Sequence, residues 1–355
     1  MNSKQRVKAS VERREPDRLP VDYWATSEVT SRLIAETGAA GEEELLAGLG
    51  VDLRYLSAAY VGPEPERDSG GAWKDIWGVW RRRVSYGGGS YDEVTVSPLA
   101  GAESVEDLEA HSWPTADLFD FAAMREAASR LGDFFLVNAA DRLNRTSTLK
   151  AAIYLRGMDR IMMDMALNPE FAAALFARIS RFYLECNRAM FEAVGDLLDM
   201  FFMGDDFGTQ SGLLVGPDMW RQFFAPHLRE FCEAAHAHEL KVMLHSCGAI
   251  SEIMGGIADC GVDVINPVQP GAAGMDPREL KERFGDRLCF HGAVDVQHTL
   301  PEGSPDDVRA EVRARFADLG AGGGYVAAPS HNFQPDVTTA NILALYEAAA
   351  DCRYG

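Results

Sequence analysis

His245 and Cys247 stand two residues apart in the run Leu244-His245-Ser246-Cys247-Gly248. On an extended segment, side chains at i and i+2 point to the same face. One imidazole nitrogen and one thiolate sulfur can then reach a single metal ion, and mixed nitrogen and sulfur ligation favours zinc. Two donors do not make a site. His331, in the run Pro329-Ser330-His331-Asn332, is the best third ligand, with His291 in reserve. A carboxylate from Asp205 or Asp206 would add a fourth ligand or hydrogen-bond to one of the others. Three protein ligands and an open position mark a catalytic zinc. Asp205, Asp206 and His291 are therefore candidates for catalysis and proton handling, and Tyr23, Gln210, Asn266, Gln269 and Asn332 for binding polar substrate atoms. The bland alternatives are a packed histidine and cysteine, a solvated turn at Asp205-Asp206, and loop caps at Asn266 and Gln269.

Those candidates need a scaffold that brings distant segments together. Short apolar runs that read as buried strands occur at 19–24, 53–59, 134–139, 198–203, 241–245, 262–266, 288–291 and 324–328. Amphipathic runs at 217–238, 251–258, 276–284, 305–319 and 338–350 alternate with the later ones, and 146–196 is helical throughout. Strand–helix alternation implies a parallel sheet with crossover helices. Eight strands predict a (β/α)8 TIM barrel, which takes about 250 residues; a doubly wound open sheet is the alternative. The surplus falls at 61–105, where Gly87-Gly88-Gly89 and the run Trp73 to Tyr86 read as an antiparallel β ribbon inserted near the barrel mouth. Its tryptophans, Trp73, Trp77 and Trp80, suit either a docking surface or a small satellite core. In a barrel the reactive groups lie at the carboxyl ends of the strands. All the candidates except Tyr23 fall at or just past such ends.

Composition narrows the partners. The chain has 355 residues and a formal net charge of −20, which repels phosphate backbones and disfavours nucleic acid. No run of apolar residues is long enough to span a membrane. The first residues, MNSKQRVKAS, are charged and do not form a secretory signal, so a cytoplasmic location is expected. Six scattered cysteines suit free thiols or ligands rather than a disulfide framework.

The segments GDDFGTQSGLLVGPDMW, LHSCGAISEIM, DVINPVQPGAAGMDPRELKERFGDRLCFHGAVD and GGGYVAAPSHNFQPDVTTANILALY resemble the uroporphyrinogen decarboxylase superfamily. VKASVERREPDRLPVDYW and LRGMDRIMMDMALNPEF are similar to it as well, so the resemblance covers nearly the whole chain. It implies one barrel domain, 1–355, often dimeric, with one of two chemistries. The first is cofactor-free decarboxylation of a porphyrinogen. Those enzymes carry an R-Q-A-G-R-Y stretch after the first strand to hold carboxylates, where this chain has Trp24-Ala25-Thr26-Ser27-Glu28-Val29. Arg81, Arg82, Arg83, Arg142 and Arg145 keep a decarboxylase reading open. The second is zinc-dependent methyl transfer, as in methylcobamide:coenzyme M methyltransferases and O-demethylase methyltransferases. Their H-x-C-G motif maps onto His245, Cys247 and Gly248. Their third ligand is a cysteine after the last strand, where this chain departs with His331. The resemblance thus implies Zn2+ at His245, Cys247 and His331, and a methyl donor or thiol acceptor as substrate. No D-x-H-x-x-G motif occurs, so the corrinoid would ride on a separate protein.

Overall fold

The computed structural model describes residues 1–86, 89–139 and 145–355; Gly87, Gly88 and Arg142 lie outside the described residues. Seven strands, β1 (Leu53–Leu56), β2 (Phe135–Asn138), β3 (Met200–Gly204), β4 (Lys241–His245), β5 (Val264–Val268), β6 (Cys289–Val294) and β7 (Tyr325–Pro329), form one parallel sheet in that order. Parallel neighbours require crossover connections, which the intervening helices supply.

The run at 19–24 closes the sheet as an irregular eighth stave rather than as the regular strand its apolar pattern predicts. Asp22 N–H donates to the Ala327 carbonyl and Ala327 N–H to that of Pro20, joining it to β7. Asp52 N–H donates to the Val21 carbonyl on the β1 side. Pro20 has no N–H to give, and the Val21 N–H goes to the Asp52 side chain. A ladder therefore cannot run on in either direction, but the (β/α)8 barrel is closed.

Alternate residues point inward. Leu53, Phe135, Val137, Met200, Phe202, Met243, Val264, Cys289 and Val326 pack into one interior cluster. Val7 and Val11, one turn apart on the first helix, Ser3–Val11, plug it from below. The polar residues begin one layer higher, where His245 follows Met243, Asn266 follows Val264 and His291 follows Cys289 on the same inward faces.

The predicted helix over 217–238 is two helices, Pro217–Phe223 and Ala225–His236. Pro226 removes an N–H and crowds the preceding turn, so the break falls at Phe224. The 305–319 helix stands as expected, and 146–196 holds three helices, Leu149–Arg156, Met158–Leu167 and Pro169–Val194. The insertion is a three-stranded antiparallel sheet of Trp73–Lys74, Trp80–Tyr86 and Gly89–Val96. Trp77 is buried against Trp113, Phe182 and Tyr183, so it anchors the insertion to the helical shell. Among the described residues no helix is long and apolar enough to cross a membrane, and all six cysteines are free thiols.

Candidate metal centre

His245 is the last residue of β4 and faces inward; it is paired in register with Asn266 on β5 and Gly204 on β3. A Cβ on Gly204 would lie 2.7 Å from the His245 Cβ, so only glycine lets the ring stand there. Past the strand the chain turns sharply. Ser246 is buried and accepts the Phe207 N–H through its hydroxyl at 3.0 Å. Gly248 has φ 82°, and a Cβ on it would press within 2.6 Å of the Thr209 carbonyl. The Gly248 N–H donates to Gln269 Oε1 at 3.0 Å. Every residue of the H-S-C-G run thus contributes locally. Two carry donors, and two hold the turn that aims them.

Ligand-capable atoms of Asp206, His245 and Cys247 lie within 4.8 Å of one another. The His245 Nε2 is 3.3 Å from Cys247 Sγ and 3.4 Å from Asp206 Oδ1. Burial drives the His245 imidazole down to about 4, against the pull of Asp206, so the ring is neutral at pH 7. Partial burial raises the Asp206 carboxyl and a charged His245 ring would lower it; with that ring neutral, the Cys247 N–H and the nearby Lys150 charge are what favour the carboxylate. A neutral imidazole, a carboxylate and a thiol at this spacing are a borderline-soft donor set that fits zinc.

The remaining expected site residues separate into three groups. His331 is exposed after β7, its ring centroid 6.4 Å from that of His245, outside the close group but across the mouth from it. His291, Asn266 and Gln269 are buried behind His245 and Cys247 and bond to protein groups. Gln210 is exposed on the rim, where its carbonyl accepts the Ala273 N–H, and Asn332 is half-buried beside His331. Two assignments change. Asp205 turns away from the centre: it accepts the N–H groups of Thr148, Leu149 and Lys150 and the Thr148 hydroxyl, capping the Leu149–Arg156 helix. Tyr23 points out of the barrel, where its hydroxyl meets Thr30 Oγ1 at 3.0 Å and its ring lies near Phe333 and Tyr346.

The stave carrying Tyr23 instead turns Asp22 and Trp24 inward, because they are one residue out of phase with it. The Trp24 ring stacks on His245, 5.7 Å between centroids and 14° between planes. Its Nε1–H donates to Asp22, as does the Tyr55 hydroxyl at 2.5 Å. Burial and the neighbouring Asp22 raise the Tyr55 phenol well above its usual value, which keeps it a donor. Strand alternation applied to residues 19–24 was the signal that could have found Asp22 and Trp24. A cavity of about 200 Å³ lies against the same wall, lined by Leu56, Asn138, Arg145, Asn187, Met190 and Phe202 among others. The Phe202 ring is edge-on to His245, and Arg145 stands over Phe202. Arg81 is buried in an ion pair with Asp75, and Arg83 bonds Ser90 and Asp92 within the insertion. Neither offers a carboxylate clamp at the barrel mouth.

Residues 144–352 match the uroporphyrinogen decarboxylase (URO-D) family, and the chain belongs to that family. Over 135 residues it is 30% identical to methylcobamide:CoM methyltransferase MtaA from Methanosarcina barkeri, a match covering 38% of this chain and 37% of that protein. The chain thus spans well under half the length of that curated relative. A shorter stretch of 76 residues is 33% identical to uroporphyrinogen decarboxylase from Pseudoalteromonas translucida, covering 20% of this chain and 21% of that one. In structure it is similar to a methyltransferase from Methanosarcina mazei, with a TM-score of 0.65, 22% identity and 99% of both chains covered, a likeness that bears on the fold.

Proposed function

We propose that the protein is a zinc-dependent methyltransferase that moves a methyl group between a small methylated substrate, or a thiol acceptor, and a corrinoid carried by a separate protein. The observation that carries this reading is the convergence of Asp206, His245 and Cys247 at the carboxyl end of β4, within reach of one metal ion. His331, on the opposite lip, is placed to join them or to face the substrate. When bound, zinc supplies Lewis acidity to an ether oxygen or stabilises a thiol acceptor in its nucleophilic form. The similarity to MtaA supports methyl transfer to or from a cobamide, and the chain's own single sulfur donor favours the Lewis-acid role. The protein's other contributions are positional. Trp24 covers the inner face of the His245 ring and excludes water from it. The cavity beside Phe202 combines apolar walls with Asn138, Asn187 and Arg145, which suits a small substrate with one polar end.

The test pairs metal analysis with turnover. Purified protein should carry about one zinc per chain, and it should change the visible spectrum of a cobalamin when given a methyl ether with cob(I)alamin or a thiol with methylcobalamin. Chelation should stop the reaction and zinc should restore it. Full activity in metal-free protein would refute the proposal.

A further inference from the structure

We infer that Asp22 is a positioning residue that decides which nitrogen of His245 carries the proton, acting through His291 and Asn266. The inference deepens the zinc reading above and rests on it for its consequence, though not for its geometry. His245, Asn266 and His291 lie on the adjacent strands β4, β5 and β6, and Asp22 lies on the closing stave one strand further on, past β7; all four are buried. Hydrogen bonds link them in sequence: His291 Nε2 to Asp22 Oδ2 at 2.8 Å, Asn266 Nδ2 to His291 Nδ1 at 2.6 Å, and His245 Nδ1 to Asn266 Oδ1 at 2.6 Å.

The direction of this chain is set at Asp22. Its Oδ1 faces the Tyr23 N–H at 2.8 Å and its Oδ2 faces the Trp24 Nε1–H at 3.0 Å. Both of those groups can only donate, so both oxygens are acceptors. An ionised Asp22 then requires His291 to donate through Nε2, which in a neutral ring leaves Nδ1 as the acceptor. Asn266 meets it with its N–H, which turns the amide oxygen toward β4. His245 must answer with Nδ1–H, and its Nε2 keeps a lone pair aimed between Cys247 Sγ and Asp206 Oδ1. An amide is suited to the middle position because it donates at one end and accepts at the other. An aspartate there would have no proton to offer His291.

The polarity is therefore transmitted from a residue that touches no ligand. Asp22→Asn places an N–H2 opposite His291 and permits the whole chain to reverse, leaving His245 with Nε2–H and no lone pair for a metal. The experiment is 15N NMR of histidine-labelled, metal-free protein at neutral pH, with zinc affinity measured alongside. In the wild type, His291 should be protonated at Nε2 and His245 at Nδ1. In Asp22→Asn both tautomers should switch, and zinc affinity should fall roughly 10- to 100-fold. Tyr55→Phe, which removes a donor from Asp22 but leaves its acceptors, should keep both tautomers and so separates polarity from local packing. A wild-type His245 protonated at Nε2 overturns the inference whether or not any variant folds. So does an Asp22→Asn protein with unchanged tautomers and unchanged zinc affinity. The expected wild-type tautomers in a protein that binds no zinc would support the relay and refute the metal reading.

Discussion

At the floor of the barrel, the fully buried Asp52 receives both guanidinium nitrogens of Arg18 at 2.9 Å, one from Arg6 at 2.8 Å, the Ser3 hydroxyl and the Val21 N–H. At the mouth, the equally buried Asp22 meets no arginine or lysine; its partners are the Tyr23 N–H, the Trp24 indole, the Tyr55 hydroxyl and the His291 imidazole. Both carboxylates serve the same irregular stave, and both have their acceptors filled. The floor uses opposite charge, which ties the first helix, the closing stave and β1 into one unit. The mouth uses directional hydrogen bonds, which settle proton positions. Stability is concentrated at the amino ends of the strands and chemistry at the carboxyl ends, as barrel enzymes in general divide them.

Substitutions should separate the two ends. The largest effect belongs to the ligands: Cys247→Ala or His245→Ala should abolish zinc retention, read by elemental analysis after dialysis, while the unfolding transition of the metal-free protein stays close to that of metal-free wild type. Next comes Asp52→Ala, which leaves Arg6 and Arg18 without their shared partner. It should cost about 3–5 kcal/mol in urea unfolding with zinc stoichiometry unchanged. Loss of zinc on Asp52→Ala in a protein that is still folded would erase the distinction between floor and mouth. The smallest effect is expected for Asp205→Ala, which removes the cap of the Leu149–Arg156 helix. It should lower stability by about 1–2 kcal/mol, and its measurement shows whether Asp205 holds structure while its neighbour Asp206 serves the metal.

Much of this was legible in the sequence because the relevant signals are local. Apolar runs bounded by turns located β1 to β7 to within a few residues, and a two-residue spacing put His245 and Cys247 on one face. What stayed hidden depended on phase and on distance. The run at 19–24 reads as a barrel stave, but its polar pattern points to Tyr23, whereas Asp22 and Trp24 are the inward pair. Asp205 and Asp206 are adjacent acids that no pattern distinguishes; the structure sends one to a helix start and the other toward His245 and Cys247. Asn266 and Gln269 read as substrate binders because they are polar and stand at a strand end. The structure places Asn266 between two histidines and Gln269 against the Gly248 N–H. A partner in either case comes from a segment more than twenty residues away, and nothing local announces it. The break at Phe224, by contrast, was written in Pro226 and could have been read there.

Whether Asp206, His245 and Cys247 hold zinc together is tested most directly by X-ray absorption at the zinc edge of the purified protein. The expected spectrum has a single sulfur neighbour at about 2.3 Å with nitrogen and oxygen neighbours near 2.0–2.2 Å, and the sulfur contribution disappears in Cys247→Ala. A protein that retains no zinc after dialysis, or one whose bound zinc has no sulfur neighbour, would contradict it.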